Sequence, residues 1–430
     1  MAKGSILKRE GKTGTSWLLK YDAGRNAETG ARKQRYKTVR GTKKDAEKEL
    51  RRLLGRVDDG THVDPSKTTV ADWAETWLLD HAAPNVSQRT LEGYRLLLRV
   101  HVVPTLGDIP IQKLTAPQIQ ALYTRLRASG RRPVSRKADA SSDAEKSGLS
   151  ARSVLHVHRV LFQCLKTAKK QQVIFRNPAE DVTAHKRRNG TVEGGPDNEV
   201  EQMQALEKAQ LPALFRAFKG NPLYPLVALA TGTGLRRGEL LALSWVDVDL
   251  DKRTVRVTKA IEDSRDFGLR IKSSPKNDSS RRTIGIDEGL CDVLRTHRRE
   301  QKELALKLGT PYPSDCLVFP CVITRAKGRQ PLAPRAKDVD FSRPWNPNAI
   351  TKGFVCVARA AGFEGLRLHD LRHTHASQLL DAGLPVHAVA QRLGHSTPVV
   401  TMTIYAHVLK RAEDRAAEVS GDLLRDALGE

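Results

Sequence analysis

The spacing of apolar side chains changes twice along the chain, and each change predicts a different kind of element. In residues 1–64 the early pattern is short and alternating. Ser16–Tyr21 carries Trp17 and Leu19, and Gln34–Val39 follows a turn containing Gly and Asn, which predicts short strands. From Lys43 to Val57 the period lengthens, and Ala46, Leu50, Leu53 and Leu54 fall on one helix face. This block reads as a small β-sheet plus one helix. From Thr69 to Val182 the pattern is helical throughout. Val70, Trp73, Ala74 and Trp77 keep helical spacing, as do Leu91, Tyr94, Leu97 and Leu98, and Ile119, Leu122, Tyr123 and Leu126. A last helix is expected over Ala151–Gln172. Such stripes are the core of a helical bundle, which sets a domain at residues 69–184.

Between the bundle helices, Gly130–Gly148 is rich in Ser, Asp, Lys and Arg and reads as an exposed, mobile loop. Residues 185–198 hold Lys186, Arg187, Arg188 and a Gly-Gly-Pro break, the composition of a basic interdomain linker. A third domain follows at residues 199–410. It alternates apolar helical segments such as Leu226–Ala230 with strand-like runs at Val255–Ile261, Leu269–Ile271 and Thr283–Ile286. The Pro- and Arg/Lys-rich stretch from Gly309 to about Asn348 reads as an insertion. The tail, 411–430, has helical spacing at Val419, Leu423, Leu424 and Leu428. The expected fold class is multidomain, mainly α with small β-sheets, the last domain being α+β.

Charge narrows the choice of partner. The 430-residue chain has a formal net charge of +24 and a pI of about 10.0. The first block alone carries 17 Lys and Arg against 9 Asp and Glu, a net +8. Nucleic acid is the leading partner for such a surface, because phosphate neutralisation releases condensed counterions. An anionic membrane would need a basic amphipathic anchor or a lipidation site, and neither is present in the sequence. The run Leu223–Leu235 is too short to span a bilayer. Five cysteines without a CxxC pair argue against a disulfide framework or a thiolate zinc site, so a reducing, cytoplasmic setting is expected.

Five segments of the third domain hold residues with chemical potential. In Thr233–Leu240, Arg236 sits where a Gly-rich turn joins two apolar helices, with Glu239 placed to orient an arginine or the helix start. Arg237 reads as a contact to the DNA backbone or to solvent. In Ser273–Arg282, Lys276 rides on a turn marked by Pro, Asn, Asp and Ser. In His369–Ser377, His369 and Arg372 share a helix face. His369 and His373 also stand at the spacing of zinc ligands, but no Glu accompanies them in the protease pattern. His395 follows Gly394 at a helix end, and Tyr405 lies in Ile404-Tyr405-Ala406-His407. Taken singly, each has a plainer reading: a solvated lysine, a structural arginine, a capping histidine, a packed tyrosine.

The set in this order resembles the tyrosine recombinase (phage integrase) family. The matches are TGLRRGEL at Arg236, the turn Lys276, HDLRHTHAS at His369 and Arg372, LGH at His395 and IYAH at Tyr405. The helical domain resembles that family's SAM-like core-binding domain, and the basic first block looks like the arm-binding domain of lambda-type integrases. The resemblance implies site-specific cutting and rejoining of DNA through a 3′-phosphotyrosine on Tyr405. Arg236 and Arg372 would clamp the phosphate, His369 would act as base, His395 would donate to the phosphate, and Lys276 would protonate the leaving oxygen. It implies no metal, no ATP and no other cofactor. It also implies a C-shaped clamp on duplex attachment sites, a homotetramer passing through a Holliday junction, a tail that packs on a neighbour, accessory DNA-bending or directionality factors, and a bacterial, nucleoid-associated location. A resolvase, a type IB topoisomerase-like enzyme, a non-catalytic DNA-binding regulator and a metal-dependent nuclease are the competing readings.

Overall fold

The computed structural model describes residues 4–11, 14–25, 32–58, 66–130, 148–183, 205–272, 281–322, 325–327, 330–332 and 335–405, with four single positions near the C-terminus. The chain divides into two compact units, Met1–Val200 and Glu201–Glu430. The fold is multidomain and mainly helical, with small antiparallel sheets. Residues 131–147 of the expected loop, the linker 185–198 and nearly all of the tail lie outside the described residues.

In the first unit, β1 (Gly4–Gly11), β2 (Gly14–Arg25) and β3 (Arg32–Arg40) form one antiparallel sheet in that order. Strand alternation puts Leu19 and Tyr21 on one face, where they are buried against Ala46, Leu50 and Leu53 of α1 (Lys43–Asp58). The register sets Leu7 beside Leu18, and Lys20 beside Tyr36, on the other face. β1 is the element the apolar pattern did not announce, since Gly, Lys, Arg and Glu fill most of its length.

The helices of this unit are α2 (Val70–Thr76), α3 (Gln88–Leu97), α4 (Val103–Leu106), α5 (Ala116–Ser129) and α6 (Ala151–Lys170). Thr69 and Asp72 cap α2 reciprocally, each taking a backbone N–H of the other. Wider turns at Trp77–Ala82 and Leu98–Val102 extend α2 and α3. Trp73 and Trp77 are buried, yet each indole needs an acceptor. Trp73 donates to the Cys164 carbonyl at 3.1 Å and Trp77 to Thr167 Oγ1 at 3.1 Å, so both tie α2 and its extension to α6.

The second unit begins with α7 (Leu211–Phe218), α8 (Tyr224–Thr233) and α9 (Arg237–Ala242). Next come β4 (Val248–Asp249), β5 (Thr254–Val257), β6 (Ala260–Ser264), β7 (Gly268–Lys272) and β8 (Arg282–Gly285). The expected run Val255–Ile261 is split between two sheets, β4-β5-β8 and β6-β7. After α10 (Glu288–Leu308) come β9 (Pro320–Val322), β10 (Arg325–Lys327), β11 (Gln330–Leu332) and β12 (Val339–Pro344). The stretch from Gly309, read as an insertion, contributes Val318, Phe319, Val339 and Phe341 to the main core. The last helices are α11 (Pro347–Ala360), α12 (Asp370–Asp381), α13 (Val386–Leu393) and α14 (Pro398–Ile404).

Two packed helices centre this unit and have opposite chemistry. α8 is apolar on all sides, with Pro225 to Ala230 all buried, as expected of a helix enclosed by protein. α12 is also buried, but its hidden residues include Asp370, Arg372, His373, Thr374, His375 and Ser377. Burying so many polar groups is costly unless they are paired, so this helix is where a functional site is to be sought.

Candidate active site

Two left-handed glycines open the site. Gly234 (φ 65°) ends α8 and Gly394 (φ 69°) ends α13. A Cβ on Gly234 would stand 2.7 Å from His375 Cδ2 and 2.8 Å from Leu393 Cδ2, so both backbone angle and space require glycine. The turn at Gly234 delivers Arg236 to the start of α9. There the Arg236 amide donates to Glu239 Oε2 (2.9 Å), its Nη1 to Glu239 Oε1 (2.9 Å) and its Nη2 to the Gly394 carbonyl (2.9 Å). The Arg236 side chain remains 38% exposed while Glu239 is 4% exposed. The cation is thus anchored from inside and open from outside.

Arg372 is held more deeply. It is 4% exposed, and donates Nη1 to the Gly234 carbonyl (2.7 Å) and Nη2 to the Leu393 carbonyl (2.8 Å). Burial and the nearby Arg236 charge lower its pKa to about 9, which still leaves it charged at neutral pH. Glu239 stays ionised despite burial, because hydrogen bonds and charge from Arg282, with Arg236, pull its pKa below the usual carboxylate value. It therefore orients both an arginine and a helix start.

His369 precedes α12 on a turn clamped by Asp370, which is 1% exposed and accepts a fork from Arg367 (Nε 3.2 Å, Nη2 3.0 Å). Its ring opens to solvent, and partial burial with the Arg372 charge keeps its pKa below the ordinary value. His395 Nδ1 meets Thr401 Oγ1 at 2.7 Å. Burial and three arginines, Arg372, Arg236 and Arg282, push the His395 pKa down to about 4. Tyr405 closes α14, is 1% exposed, and shares a 2.9 Å hydrogen bond between its phenol and His373 Nδ1. Burial raises the phenol to about 12, against the opposing pull of Arg372.

Five of the six expected residues are thereby brought together: Arg236, His369, Arg372, His395 and Tyr405. Lys276 lies outside the described residues, on the connection from β7 to β8, which belong to different sheets. Arg237 is exposed, as expected of a residue read as meeting DNA backbone or solvent. Its Nη1 donates to the Pro347 carbonyl (3.2 Å) and Thr351 Oγ1 (2.7 Å), joining α9 to α11. His375, also on α12, has both ring nitrogens committed: Nδ1 donates to the Thr231 carbonyl (2.8 Å) and Nε2 accepts from Arg392 Nε (3.0 Å). Four contributors were not singled out from the sequence for these roles. They are His373 on the phenol, Thr401 on His395, Arg282 on Glu239 and Arg392 on His375. The Thr401–His395 contact spans 6 residues and the other three span 17 or more, so no helical spacing announced them.

A buried helix whose polar side chains, Ser377 apart, are paired, and that gathers two arginines, two imidazoles and a phenol, suits attack on a phosphodiester. The family comparison agrees: residues 197–412 match the model of the phage integrase family, and residues 69–127 match the phage integrase N-terminal SAM-like domain. The chain belongs to the phage integrase family, whose members of this type are tyrosine site-specific DNA recombinases. Among its relatives, a tyrosine recombinase XerC-like protein of Caldanaerobacter subterraneus subsp. tengcongensis is 27% identical, over 89% of this chain and 90% of its own. An integrase of Streptomyces ambofaciens is 25% identical, over 89% of this chain and 88% of its own. The Tn1549 transposon integrase, solved in complex with transposon right end DNA, shares the fold at a TM-score of 0.59 and 19% identity, covering 81% of this chain and 99% of that one.

Proposed function

We propose that this site-specific recombinase cuts and rejoins DNA with Tyr405 as nucleophile, integrating and excising a phage or other mobile element. In the proposed step the Tyr405 oxygen forms a bond to the scissile phosphorus, and the bond from phosphorus to the 5′-oxygen breaks. The phenol proton passes to His369, and Lys276 gives a proton to the leaving 5′-oxygen. Arg236 and Arg372 neutralise the non-bridging oxygens with fixed, charged forks. Rejoining is the reverse, so phosphodiester energy is stored in the 3′-phosphotyrosine and no ATP or metal is consumed.

The observation that carries this reading is the shared anchoring of the two arginines. Arg372 and Arg236 donate to the consecutive carbonyls of Leu393 and Gly394, and the next residue is His395. Three candidate phosphate ligands are thus referred to one helix end. His395 is neutral at physiological pH, so the Thr401 hydroxyl can donate to Nδ1 and leave Nε2–H for the phosphate. We assign residues 1–64 to arm-type DNA binding, 69–184 to core-site binding, 185–198 to a basic linker, 199–410 to catalysis and 411–430 to contact with a neighbouring protomer. Duplex attachment sites are the substrate. A homotetramer on synapsed DNA, with accessory bending or directionality factors, in the bacterial cytoplasm at the nucleoid, completes the assignment.

The test is a nicked duplex built from the element–chromosome junction that flanks this chain's gene. The wild-type chain should form a covalent adduct in EDTA, and Tyr405→Phe should form none. Loss of cleavage on chelation would point to a metal-dependent nuclease, and relaxation of plasmids lacking the junction would point to a topoisomerase.

A further inference from the structure

Three guanidinium groups converge on the last carbonyls of α13. Arg282 donates Nε to the Arg392 carbonyl (2.7 Å), Arg372 donates to Leu393 (2.8 Å), and Arg236 donates to Gly394 (2.9 Å). A helix C-terminus has unpaired carbonyls and the negative end of the macrodipole, so it can organise cations around it. Two of these arginines are the proposed phosphate clamp, and Arg282 is the third.

Arg282 also forks the carboxylate that tethers Arg236. Its Nη1 reaches Glu239 Oε1 (3.2 Å) and its Nη2 reaches Oε2 (2.9 Å). The Arg282 and Glu239 side chains are 5% and 4% exposed. Nε, Nη1 and Nη2 of Arg282 each donate inside the protein, one to a carbonyl and two to the oxygens of a single carboxylate. The backbone makes room for it: a Cβ on Gly394 would lie 2.8 Å from Arg282 Nη1.

We propose that Arg282 is a positioning residue for DNA cleavage, holding Glu239 and the end of α13 so that Arg236 and His395 face the phosphate. This rests on the reading of Arg236 and Arg372 as the phosphate clamp. One buried carboxylate is shared by two arginines. Without Arg282, Glu239 remains buried and charged with only Arg236 to compensate it, and the half-exposed Arg236 guanidinium is drawn inward, away from the substrate. The Arg392 carbonyl loses its donor at the same time, three residues before His395. Lysine does not replace this geometry, because a point charge cannot fork a carboxylate and also reach a carbonyl from Nε.

The experiment uses the full chain and the nicked junction duplex, with the scissile group either as the phosphodiester or as a neutral methylphosphonate. Arg282→Lys is expected to bind the duplex with a Kd within about threefold of wild type, but to form adduct about 100-fold more slowly on the phosphodiester. The methylphosphonate has no charge for the clamp to neutralise, so there the deficit should shrink to less than about tenfold. Equal losses on the two substrates, or wild-type rates on the phosphodiester, would overturn the proposal. If Arg282→Lys does not fold, Glu239→Gln removes the tether charge at constant shape and must show the same substrate split. Tyr405→Phe keeps the two failures apart: an adduct in that variant refutes the tyrosine reading, whereas its absence beside an unaffected Arg282→Lys refutes only the role of Arg282.

Discussion

The Tyr405 phenol is hydrogen-bonded to His373 Nδ1 at 2.9 Å while only 1% of the tyrosine is exposed. The ring packs with Ala376, Leu380, Val389 and Leu393, so a phosphodiester outside cannot meet it in this position. His373 stands edge-to-face with His369, ring centroids 4.9 Å apart, and burial together with His369 lowers its pKa to about 4. A neutral imidazole inside thus holds the phenol, and a more exposed imidazole lies beside it. In the mechanism proposed above, attack would need the tyrosine to turn outward and break the His373 bond.

The two histidines should then separate by substitution. His369→Gln is expected to slow adduct formation by roughly 100-fold or more, the usual worth of a general base. His373→Phe leaves the buried phenol without its partner, costing about 1–3 kcal/mol of stability, while adduct formation stays level or rises. Single-turnover cleavage with parallel thermal melts reads both. A larger cleavage loss in His373→Phe than in His369→Gln would reverse the roles.

The arginines should separate too. Arg236→Ala and Arg372→Ala are each expected to reduce cleavage by about 100-fold or more. Arg372→Ala also strips the Gly234 and Leu393 carbonyls of a buried donor, at about 1–3 kcal/mol each. Arg236 is partly exposed, and Glu239 retains Arg282, so Arg236→Ala should melt closer to wild type. Denaturant titration of the three proteins checks the order.

Thr401 is fully buried with its hydroxyl hydrogen-bonded to His395 Nδ1, and in the proposed mechanism it donates there and leaves Nε2–H for the phosphate. Thr401→Val keeps the shape and removes the hydrogen bond, so cleavage should fall roughly tenfold or more. Thr401→Ser should restore it. Equal rates for the Val and Ser variants would remove this residue from the account.

Stability should fall on mild acidification. His375 Nδ1 faces a carbonyl and must donate, and Nε2 accepts from Arg392, so the ring is neutral in the fold. Burial, then the Arg392 charge, lowers its pKa from 6.5 to about 4. Its folded value lies below its unfolded one, so the unfolded chain binds the proton first. The stabilisation is complete above the unfolded pKa and is lost as pH falls from 6.5 towards 4. A change of this size is worth on the order of 3 kcal/mol. Urea melts across that window should show the loss, and His375→Asn, which keeps a donor for Thr231 but cannot take up a proton, should reduce it, the remainder coming from groups such as His373 and His395, whose pKa values are also lowered to about 4.

Much of this architecture was legible where periodicity is strong. The helix expected at Lys43–Val57 is α1, and that at Ala151–Gln172 is α6, because each carries a long apolar stripe. β1 escaped notice because half of a small sheet's face is solvent and its polar residues hide the alternation. The core residues of the run from Gly309, Val318, Phe319, Val339 and Phe341, were not legible because they are scattered among Pro and charged residues with no period. In the site, motif residues were readable one by one, but the carbonyls of 392–394 that gather the arginines have no sequence signature. Backbone groups become ligands only once Gly394 turns the chain.

Peptide mapping of the trapped protein–DNA adduct by mass spectrometry tests the central claim most directly. After nuclease trimming, the account predicts a nucleotide joined through its 3′-phosphate to the phenolic oxygen of Tyr405 and to no other side chain. A linkage to a different residue, or a 5′-phosphate linkage at Tyr405, would contradict it.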